Sequence, residues 1–279
     1  MALTLTDVAF DYAVGTSLAQ PALRGVTFSV APGECVVVLG PSGSGKTTLL
    51  RIAGGLLIPS RGDVTVDGMS RGARRVDPFR GAVGLAFQRP EAQFFAATVG
   101  EDVAFGPRNL GNGDGAAAAE SALELVGLSP GDFAERSPFT LSGGEARRAA
   151  LAGILAMSPR YLLLDEPTSG LDAAGHRAVS EAIARARATA GVVVVTHDAA
   201  EFLDHADRVL VLQEGAAAFS GSVRDLLADA DRLEAGGAWV PPEHVRAQLL
   251  ARRLGRTTSP PVLDPGEAAR ILFASGGVT

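Results

Sequence analysis

A run of small residues followed by a lysine and two threonines is the first feature of the sequence that suggests chemistry. It consists of Gly40, Pro41, Ser42, Gly43, Ser44, Gly45, Lys46, Thr47 and Thr48. It fits the pattern G-x-x-x-x-G-K-[ST] between a strand-like run and a helix-forming segment, the context in which backbone N–H groups surround phosphate oxygens. A Gly/Ser turn with a stray lysine is the alternative. The run predicts an ATP site in which Lys46 reaches the β- and γ-phosphates and the Thr47 hydroxyl binds Mg²⁺.

Two acidic residues end a second apolar run further along the chain. Asp165 and Glu166 follow the strand-like segment Tyr161–Leu164. Ligands of parallel sheets bind at the carboxyl ends of the strands, where such acids lie. We expect Asp165 to hold Mg²⁺ through water and Glu166 to polarise the attacking water as a general base. An Asp-Glu pair alone would favour a solvated strand end, so this prediction depends on the phosphate loop.

A serine and two glycines at an expected helix start identify the family. The segment reads Leu141-Ser142-Gly143-Gly144-Glu145 and precedes the strand that ends in the two acids. Here the sequence resembles the ATP-binding cassette (ABC) family, whose signature is LSGGQ or LSGGE. The resemblance covers roughly residues 3 to 222. The family's other motifs follow in order: Gln88, the turn Ser169-Gly170-Leu171-Asp172, and His197 after the Val192–Thr196 strand.

The resemblance implies an ATP site that two chains share. A helix N-terminus with two glycines is an anion site, and in the family it faces the phosphate loop of a second protomer. Ser142, Gly143 and Gly144 are therefore expected to bind ATP held by the other chain, and Asp172 to contact that chain near its signature. ATP would then favour the closed dimer, and hydrolysis would remove that preference.

The resemblance also implies the catalytic set and the metal ligands. The catalytic residues are expected to be Glu166, His197 and Gln88, with His197 hydrogen-bonded to the γ-phosphate and to Glu166. The Mg²⁺ ligands are expected to be Thr47, Gln88 and Asp165. Adenine is expected to stack on an aromatic ring near the N-terminus. Tyr12 is the preferred candidate, and Phe10, which alternates with it, is the second.

A longer segment indicates a particular group within the ABC family. Residues 87–95, Phe87-Gln88-Arg89-Pro90-Glu91-Ala92-Gln93-Phe94-Phe95, are followed by Thr98-Val99-Gly100-Glu101-Asp102-Val103-Ala104-Phe105-Gly106-Pro107 and Asn109-Leu110-Gly111. This pattern is similar to the ATPase subunits of energy-coupling factor (ECF) transporters, which import vitamins and transition-metal ions such as cobalt or nickel; Arg89 stands where that group usually has asparagine. The implied partners are a second ATPase protomer, a transmembrane coupling subunit and a substrate-binding membrane subunit.

The same segment predicts a docking surface for a membrane partner. Apolar side chains beside acids suit a short amphipathic helix that carries arginine. The acids are Glu91, Glu101 and Asp102. We expect Val103 and Phe105 to be packed in the core, whereas Phe94 and Phe95 could equally be exposed or buried.

Charge and composition exclude several functions. The net charge is −6 and the pI about 5.3, which disfavours nucleic acid as the main partner. No apolar run approaches the ~20 residues that span a bilayer, and the N-terminus lacks a signal-peptide pattern. The single cysteine, Cys35, is expected to be a buried strand residue. We expect a peripheral protein on the cytoplasmic face of the membrane.

The expected fold is α/β, with a RecA-like P-loop core, an antiparallel β subdomain, a helical signature subdomain at about 92–157, and a C-terminal helical extension. Residues 1–222 form the predicted ABC ATPase domain and 223–279 the extension, with Trp239 and the Pro241-Pro242 pair as anchors. Helices are predicted over Thr47–Ile52, Ala116–Val126, Ser142–Met157, Val223–Leu233 and Pro242–Leu254, a Val64–Gly68 hairpin between them, and a linker or tail over 256–266. Another ABC transporter type, a soluble ABC switch and a P-loop metabolite kinase are the competing functions.

Overall fold

The computed structural model describes residues 1–13, 15, 20–71, 77–87, 93–111, 113–197, 199–257 and 259–274. Of Ala199, Ala200, Phe273 and Ala274 only the backbone is described.

A six-stranded sheet forms the centre of the molecule. Its strands are β3 (Cys35–Leu39), β6 (Val83–Ala86), β7 (Tyr161–Asp165), β8 (Gly191–Val195), β9 (Arg208–Gln213) and β10 (Ala216–Gly221), in the order β10-β9-β3-β8-β7-β6. All neighbours are parallel except β9 and the edge strand β10. The carboxyl ends of β3 and β7 therefore lie at one edge, where the phosphate loop and the two acids follow them.

Both faces of this sheet are buried, which explains its continuous apolar strands. In β3, Val37 and Leu39 belong to one apolar cluster whereas Val36 and Val38 belong to the other. The helices α2 (Val99–Leu110), α3 (Gly115–Leu125), α5 (Gly143–Leu155) and α6 (Ala173–Arg187) contribute to the first cluster. Strands that are covered on both sides have no polar alternation, so the runs of valine and leucine were a reliable signal.

A second, antiparallel sheet covers the other face. It contains β1 (Leu3–Tyr12), β2 (Gln20–Val30), β4 (Arg61–Val66) and β5 (Met69–Ser70) in the order β2-β1-β4-β5. The predicted hairpin is present, because Asp67 and Gly68 both have positive φ, 52° and 77°, as a two-residue type I′ turn requires. The helix α1 (Lys46–Ala53) packs between the sheets and begins directly after the phosphate loop.

The helical region holds the signature segment. Its helices begin at side-chain caps: Thr98 for α2, Asp114 for α3 and Ser142 for α5. The short α4 (Pro130–Phe133) and a 3₁₀ turn at Pro138–Thr140 connect α3 to α5. A helix α7 (Ala199–Leu203) follows β8.

The C-terminal region differs from the sequence prediction in two places. The single helix predicted at Val223–Leu233 is two helices, α8 (Val223–Ala228) and α9 (Ala230–Ala235), because the backbone of Asp229 leaves the helical region at φ −99° and ψ 6°. A helix α11 (Pro265–Ala274), which the sequence reading missed, begins inside the predicted linker.

Trp239 anchors this region as predicted. It is 5% exposed and belongs to the same apolar cluster as Leu233 and the α10 (Glu243–Arg253) residues Val245 and Leu249. The boundary at residue 222 stays a prediction, since apolar packing continues across it. Within the described part of the chain, none of the helices has the length and apolar character needed to span a membrane.

Candidate active site

The phosphate loop is held between two strands that leave no space for a side chain at Gly40 or Gly45. Gly40 has φ 141°, and a Cβ there would lie 2.1 Å from the carbonyl oxygen of Leu212 in β9. Gly45 has φ 103°, and its Cβ would lie 2.5 Å from the carbonyl oxygen of Ala22 in β2. Positive φ and close backbone approach both require glycine. The pattern G-x-x-x-x-G is thus dictated by the packing that fixes the loop.

Lys46 and Ser44 give this loop its polar character. The Lys46 ammonium donates to the carbonyl oxygens of Gly40, at 2.7 Å, and Pro41, at 3.0 Å. Burial lowers the pKa of Lys46, and the nearby Glu166 and Asp165 carboxylates partly oppose that shift. The Ser44 hydroxyl is buried and has no hydrogen-bond partner among the described residues. A loop with a buried, unpaired hydroxyl and a partly buried ammonium fits a phosphate group.

Thr47 and Asp165 lie together, as a shared metal site requires. The Thr47 hydroxyl donates to Oδ2 of Asp165 at 2.8 Å, although the residues are far apart in sequence. Asp165 is 6% exposed, and this burial raises its pKa against the effect of the Thr47 hydrogen bond. A hydroxyl and a carboxylate oxygen are the hard ligands that Mg²⁺ prefers, so the pair fits that ion. Gln88, predicted as both a metal ligand and a catalytic residue, lies outside the described residues.

Glu166 and His197 are in direct contact. Nδ1 of His197 lies 2.7 Å from Oε2 of Glu166. The Glu166 side chain is 12% exposed whereas that of His197 is 74% exposed, so the histidine reaches outward over the carboxylate. Glu166 has φ 53°, a left-handed conformation that is uncommon for a residue with a side chain. Such local strain is frequent at active sites.

A cleft of about 390 Å³ connects these groups to Tyr12. The Tyr12 hydroxyl lies 3.1 Å from Oγ1 of Thr48. Phe10 does not line the cleft; its ring instead packs edge-on against Tyr12, with centroids 4.9 Å apart. Tyr12 is therefore the better placed of the two aromatic candidates. The cleft is lined by Tyr12, Gln20, Pro21, Ala22, Ser42, Gly43, Gly45, Lys46, Thr47, Thr48, Asp165, Glu166 and Val195.

Sequence reasoning missed the three lining residues Gln20, Pro21 and Ala22. They lie at the start of β2, where Tyr12 pairs with Gln20 and Asp11 pairs with Pro21. The signal was available in principle, because residues opposite an expected adenine-stacking tyrosine in a hairpin must lie beside the same ligand. No strong turn motif lies between the two strands in the sequence, so this pairing was not predicted.

The signature segment does not line the cleft of its own chain. Ser142 caps α5, and its hydroxyl accepts from the N–H of Glu145 at 3.3 Å while the Glu145 carboxylate accepts from the N–H of Ser142 at 2.7 Å. The hydrogen bonds that the Glu145 carboxylate accepts from the Ser142 N–H and the Ser142 side chain lower the pKa of Glu145. Ser142 and Gly143 are exposed and Gly144 is partly exposed.

Asp172 has a structural partner within its own chain. It caps α6, and its Oδ1 accepts from the N–H of Gly175 at 2.8 Å. Its second carboxylate oxygen leaves room for another interaction. Its contact with a second chain stays a prediction.

The predicted docking segment needs one correction. Val103 is buried as expected, but Phe105 is 50% exposed rather than in the core. It stacks edge-on against Phe95, which is 60% exposed, with centroids 4.6 Å apart. Phe94 is the buried member of the Phe94-Phe95 pair, at 9%. Phe105 faces outward because it lies on the side of α2 opposite Val99 and Val103.

The acidic residues of this segment differ in their contacts and exposure. The Asp102 carboxylate accepts from the N–H groups of Phe95 and Ala96, both at 2.9 Å, so it fixes the Phe95 loop onto α2. Glu101 is exposed beside it. Glu91 lies outside the described residues. The aromatic pair Phe95–Phe105 with Glu101, which we call the aromatic patch, is therefore the described part of the predicted docking surface.

Comparisons with known proteins agree with this geometry. Residues 23–169 match the ABC transporter family. The chain is 44% identical over 273 residues to the energy-coupling factor transporter ATP-binding protein EcfA2 of Symbiobacterium thermophilum, covering 96% of this chain and 94% of that protein.

Two solved structures have the same fold. One is a dimer of the ATP-binding cassette MJ0796 in a post-hydrolysis state bound to ADP and Pi, with a TM-score of 0.72, 29% identity and coverage of 80% of this chain and 99% of that one. The other is cbiO1 from Clostridium perfringens, part of the ABC transporter complex cbiONQ, with a TM-score of 0.69, 28% identity and coverage of 91% and 96%.

These similarities confirm the predicted fold, the predicted family and the prediction of an ATPase. The roles of single residues stay predictions, supported by the geometry above. The chain belongs to the ABC transporter family, within the group of energy-coupling factor transporter ATP-binding proteins.

Proposed function

We propose that this chain is the ATP-hydrolysing subunit of an energy-coupling factor importer for a vitamin or a transition-metal ion such as cobalt or nickel. The observation that carries the proposal is the convergence of Lys46, Thr47, Asp165 and Glu166 on one cleft. The similarity to cbiO1, which is part of the transporter complex cbiONQ, supports the importer class.

ATP binding follows from the shape of the cleft. The backbone N–H groups of the loop from Gly40 to Thr48 and the N-terminus of α1 surround the triphosphate. Lys46 exchanges its bonds to the Gly40 and Pro41 carbonyls for bonds to the β- and γ-phosphates. The Tyr12 ring provides an apolar surface for the adenine, and a contact to a π face discriminates weakly between bases.

Hydrolysis uses the residues at the end of β7. Thr47 and Asp165 would hold Mg²⁺, with Gln88 as the third predicted ligand. Bound Mg²⁺ neutralises charge that develops on the phosphoryl oxygens. Glu166 accepts a proton from the water that attacks the γ-phosphorus, while the bond from that phosphorus to the leaving ADP oxygen breaks. Nδ1 of His197 lies 2.7 Å from the Glu166 carboxylate, and the N–H of the other ring nitrogen would donate to the γ-phosphate.

A second protomer completes the site. The exposed Ser142, Gly143 and Gly144 stand at a helix N-terminus and do not line the cleft of their own chain. The MJ0796 cassette, a relative in fold, forms a dimer. In the proposed dimer the signature of each chain binds the γ-phosphate in the cleft of the other. ATP thus stabilises the closed dimer and its hydrolysis releases it.

The membrane partner would contact the aromatic patch. Phe95 and Phe105 are an exposed apolar pair beside the exposed carboxylate of Glu101. An apolar pair with an acidic edge fits a short amphipathic helix that carries arginine. The chain would then be peripheral, on the cytoplasmic face of the membrane, bound to a coupling subunit that also holds the substrate-binding membrane subunit.

Co-purification from native membranes tests this assignment. Phe95→Asp combined with Phe105→Asp should lose the membrane subunits while retaining ATP binding. Ile58→Asp is the matched control, because Ile58 is 72% exposed and lies after α1. Loss of the partners in the control, or their retention by the double variant, would reject the patch. A wild-type chain that binds ATP but captures no membrane protein would instead indicate a soluble ABC ATPase.

A further inference from the structure

Arg147 connects the signature helix to the loop that carries Glu166. It lies on α5, five residues after the helix cap Ser142. Its Nη1 donates to the carbonyl oxygen of Glu166 at 2.9 Å and to the carbonyl oxygen of Ser169. Hydrogen bonds from a guanidinium are charge-assisted and stronger than those between neutral groups. One side chain thus holds both ends of the turn that follows β7.

The backbone of Glu166 needs such support. Its φ of 53° is unfavourable for a residue with a side chain, and strained positions persist only where their surroundings hold them. The Glu166 N–H donates to the carbonyl oxygen of Val195 at 2.9 Å. The Glu166 carbonyl oxygen accepts from the Ser169 N–H at the longer distance of 3.3 Å. Arg147 supplies the shorter bond to that carbonyl. The direction of the Glu166 carboxylate therefore depends on where Arg147 stands.

Arg147 moves with the signature. An α-helix is rigid over short lengths, and five residues correspond to a rise of about 7.5 Å. The reciprocal hydrogen bonds between Ser142 and Glu145 tie the first turn together. A shift or rotation of the Ser142–Gly144 end is consequently transmitted to the guanidinium, and through it to the Glu166 carbonyl.

The two ends of this connection serve different ATP molecules. The signature of one chain binds the ATP in the cleft of its partner, whereas Glu166 acts on the ATP in its own cleft. We propose that Arg147 is a positioning residue that transmits the engagement of the partner's ATP by the signature of the same chain to the alignment of Glu166. This inference rests on the proposed function. It makes hydrolysis at each site depend on occupancy of the other.

Arg147 lies outside the lining of the nucleotide cleft. Its described contacts to Glu166 and Ser169 are to backbone oxygens. It also borders a small cavity together with Phe87, Gln93, Asp165 and Pro167. A substitution there should change turnover without changing ATP affinity, which separates positioning from binding.

Steady-state ATP hydrolysis by the full-length chain tests the inference, with Arg147→Met and Arg147→Lys compared with the wild type. We expect the Met variant to lower kcat about 10²-fold, the scale of effect that misplacing a reacting group produces. Its rate should rise hyperbolically with ATP concentration, whereas the wild-type rate should rise sigmoidally. The Lys variant keeps a positive charge and a single donating nitrogen, so it should recover part of kcat. ATP affinity by calorimetry should match the wild type in both.

Arg148→Met is the matched control. Arg148 is the next residue on α5, but its Nη1 donates to the carbonyl oxygens of Val126, at 3.3 Å, and Gly127, at 2.8 Å, away from Glu166. It should lower the melting temperature and leave the sigmoidal dependence intact. An unchanged kcat in Arg147→Met, or an equal loss of cooperativity in Arg148→Met, would overturn the inference. A wild-type chain that fails to hydrolyse ATP would overturn the proposed function itself.

Discussion

Because the backbone of Glu166 is left-handed, we predict that Glu166→Gly is more stable than Glu166→Ala, the reverse of the usual order of the two residues. Glu166→Ala and Glu166→Gly both remove the carboxylate and its contact with His197, so they differ only in the backbone. A residue with a Cβ at φ 53° costs about 1–2 kcal/mol relative to an unstrained one. Glycine avoids that cost but loses about 0.5–1 kcal/mol through its greater freedom in the unfolded chain. The net expectation is that Glu166→Gly is more stable by about 0.5–1 kcal/mol.

Urea unfolding of the nucleotide-free protein measures this difference. The midpoint should be higher for Glu166→Gly, and the melting temperature higher by about 1–4 °C, given the sensitivity of chains of this size. Glu120 supplies the control, because it is exposed within α3. At this ordinary helix position, Glu120→Ala should be more stable than Glu120→Gly by about 1 kcal/mol. If Glu166→Ala equals or exceeds Glu166→Gly in stability, the strain is absent and the reasoning about this turn is wrong.

Three further predictions concern other parts of the molecule. Thr47→Val should abolish the Mg²⁺ dependence of nucleotide binding in calorimetry, whereas Thr48→Val should retain it; equal loss in both would remove the assignment of Thr47 to the metal. Tyr161→Phe should lower the free energy of unfolding by about 1–3 kcal/mol, because the buried Tyr161 hydroxyl donates to Asp67 at 2.5 Å and its loss leaves that carboxylate short of a partner. Burial raises the pKa of the Cys35 thiol to about 11, so above about pH 8.5 the unfolded chain loses this proton first and stability should fall. That fall between pH 8 and 10 should be smaller in Cys35→Ala, and identical slopes would contradict it.

The chemistry of the site could be predicted from sequence because its geometry forces particular residue types. Gly40 and Gly45 meet backbone oxygens where any Cβ would clash, so the loop can only be written with glycine. The same holds for the valine and leucine runs of β3, β7 and β8, which are buried on both faces. The loop glycines and the apolar strands are both local constraints, so a short segment of sequence is enough to reveal them.

What the sequence could not give depends on contacts between distant segments. Phe105 and Val103 lie on the same helix and are both apolar, yet only the packing of α2 decides that Phe105 is exposed. One difference is local instead: at Asp229, where the helix breaks, the carboxylate accepts a hydrogen bond from Arg232 within a helix-forming stretch. The hydrogen bond from Arg147 to the Glu166 carbonyl oxygen joins α5 to the end of β7. The sequence of a helix does not indicate which distant carbonyl oxygen an arginine on its surface will contact.

ATP turnover by Glu166→Gln, followed together with its oligomeric state, tests most directly whether this chain is one half of a two-chain ATPase. The substitution keeps the shape of the side chain and removes the base. We predict that the variant binds ATP, hydrolyses it at least about 10²-fold more slowly than the wild type, and elutes as an ATP-bound dimer. Turnover at the wild-type rate, or an ATP-bound monomer, would contradict the proposed site.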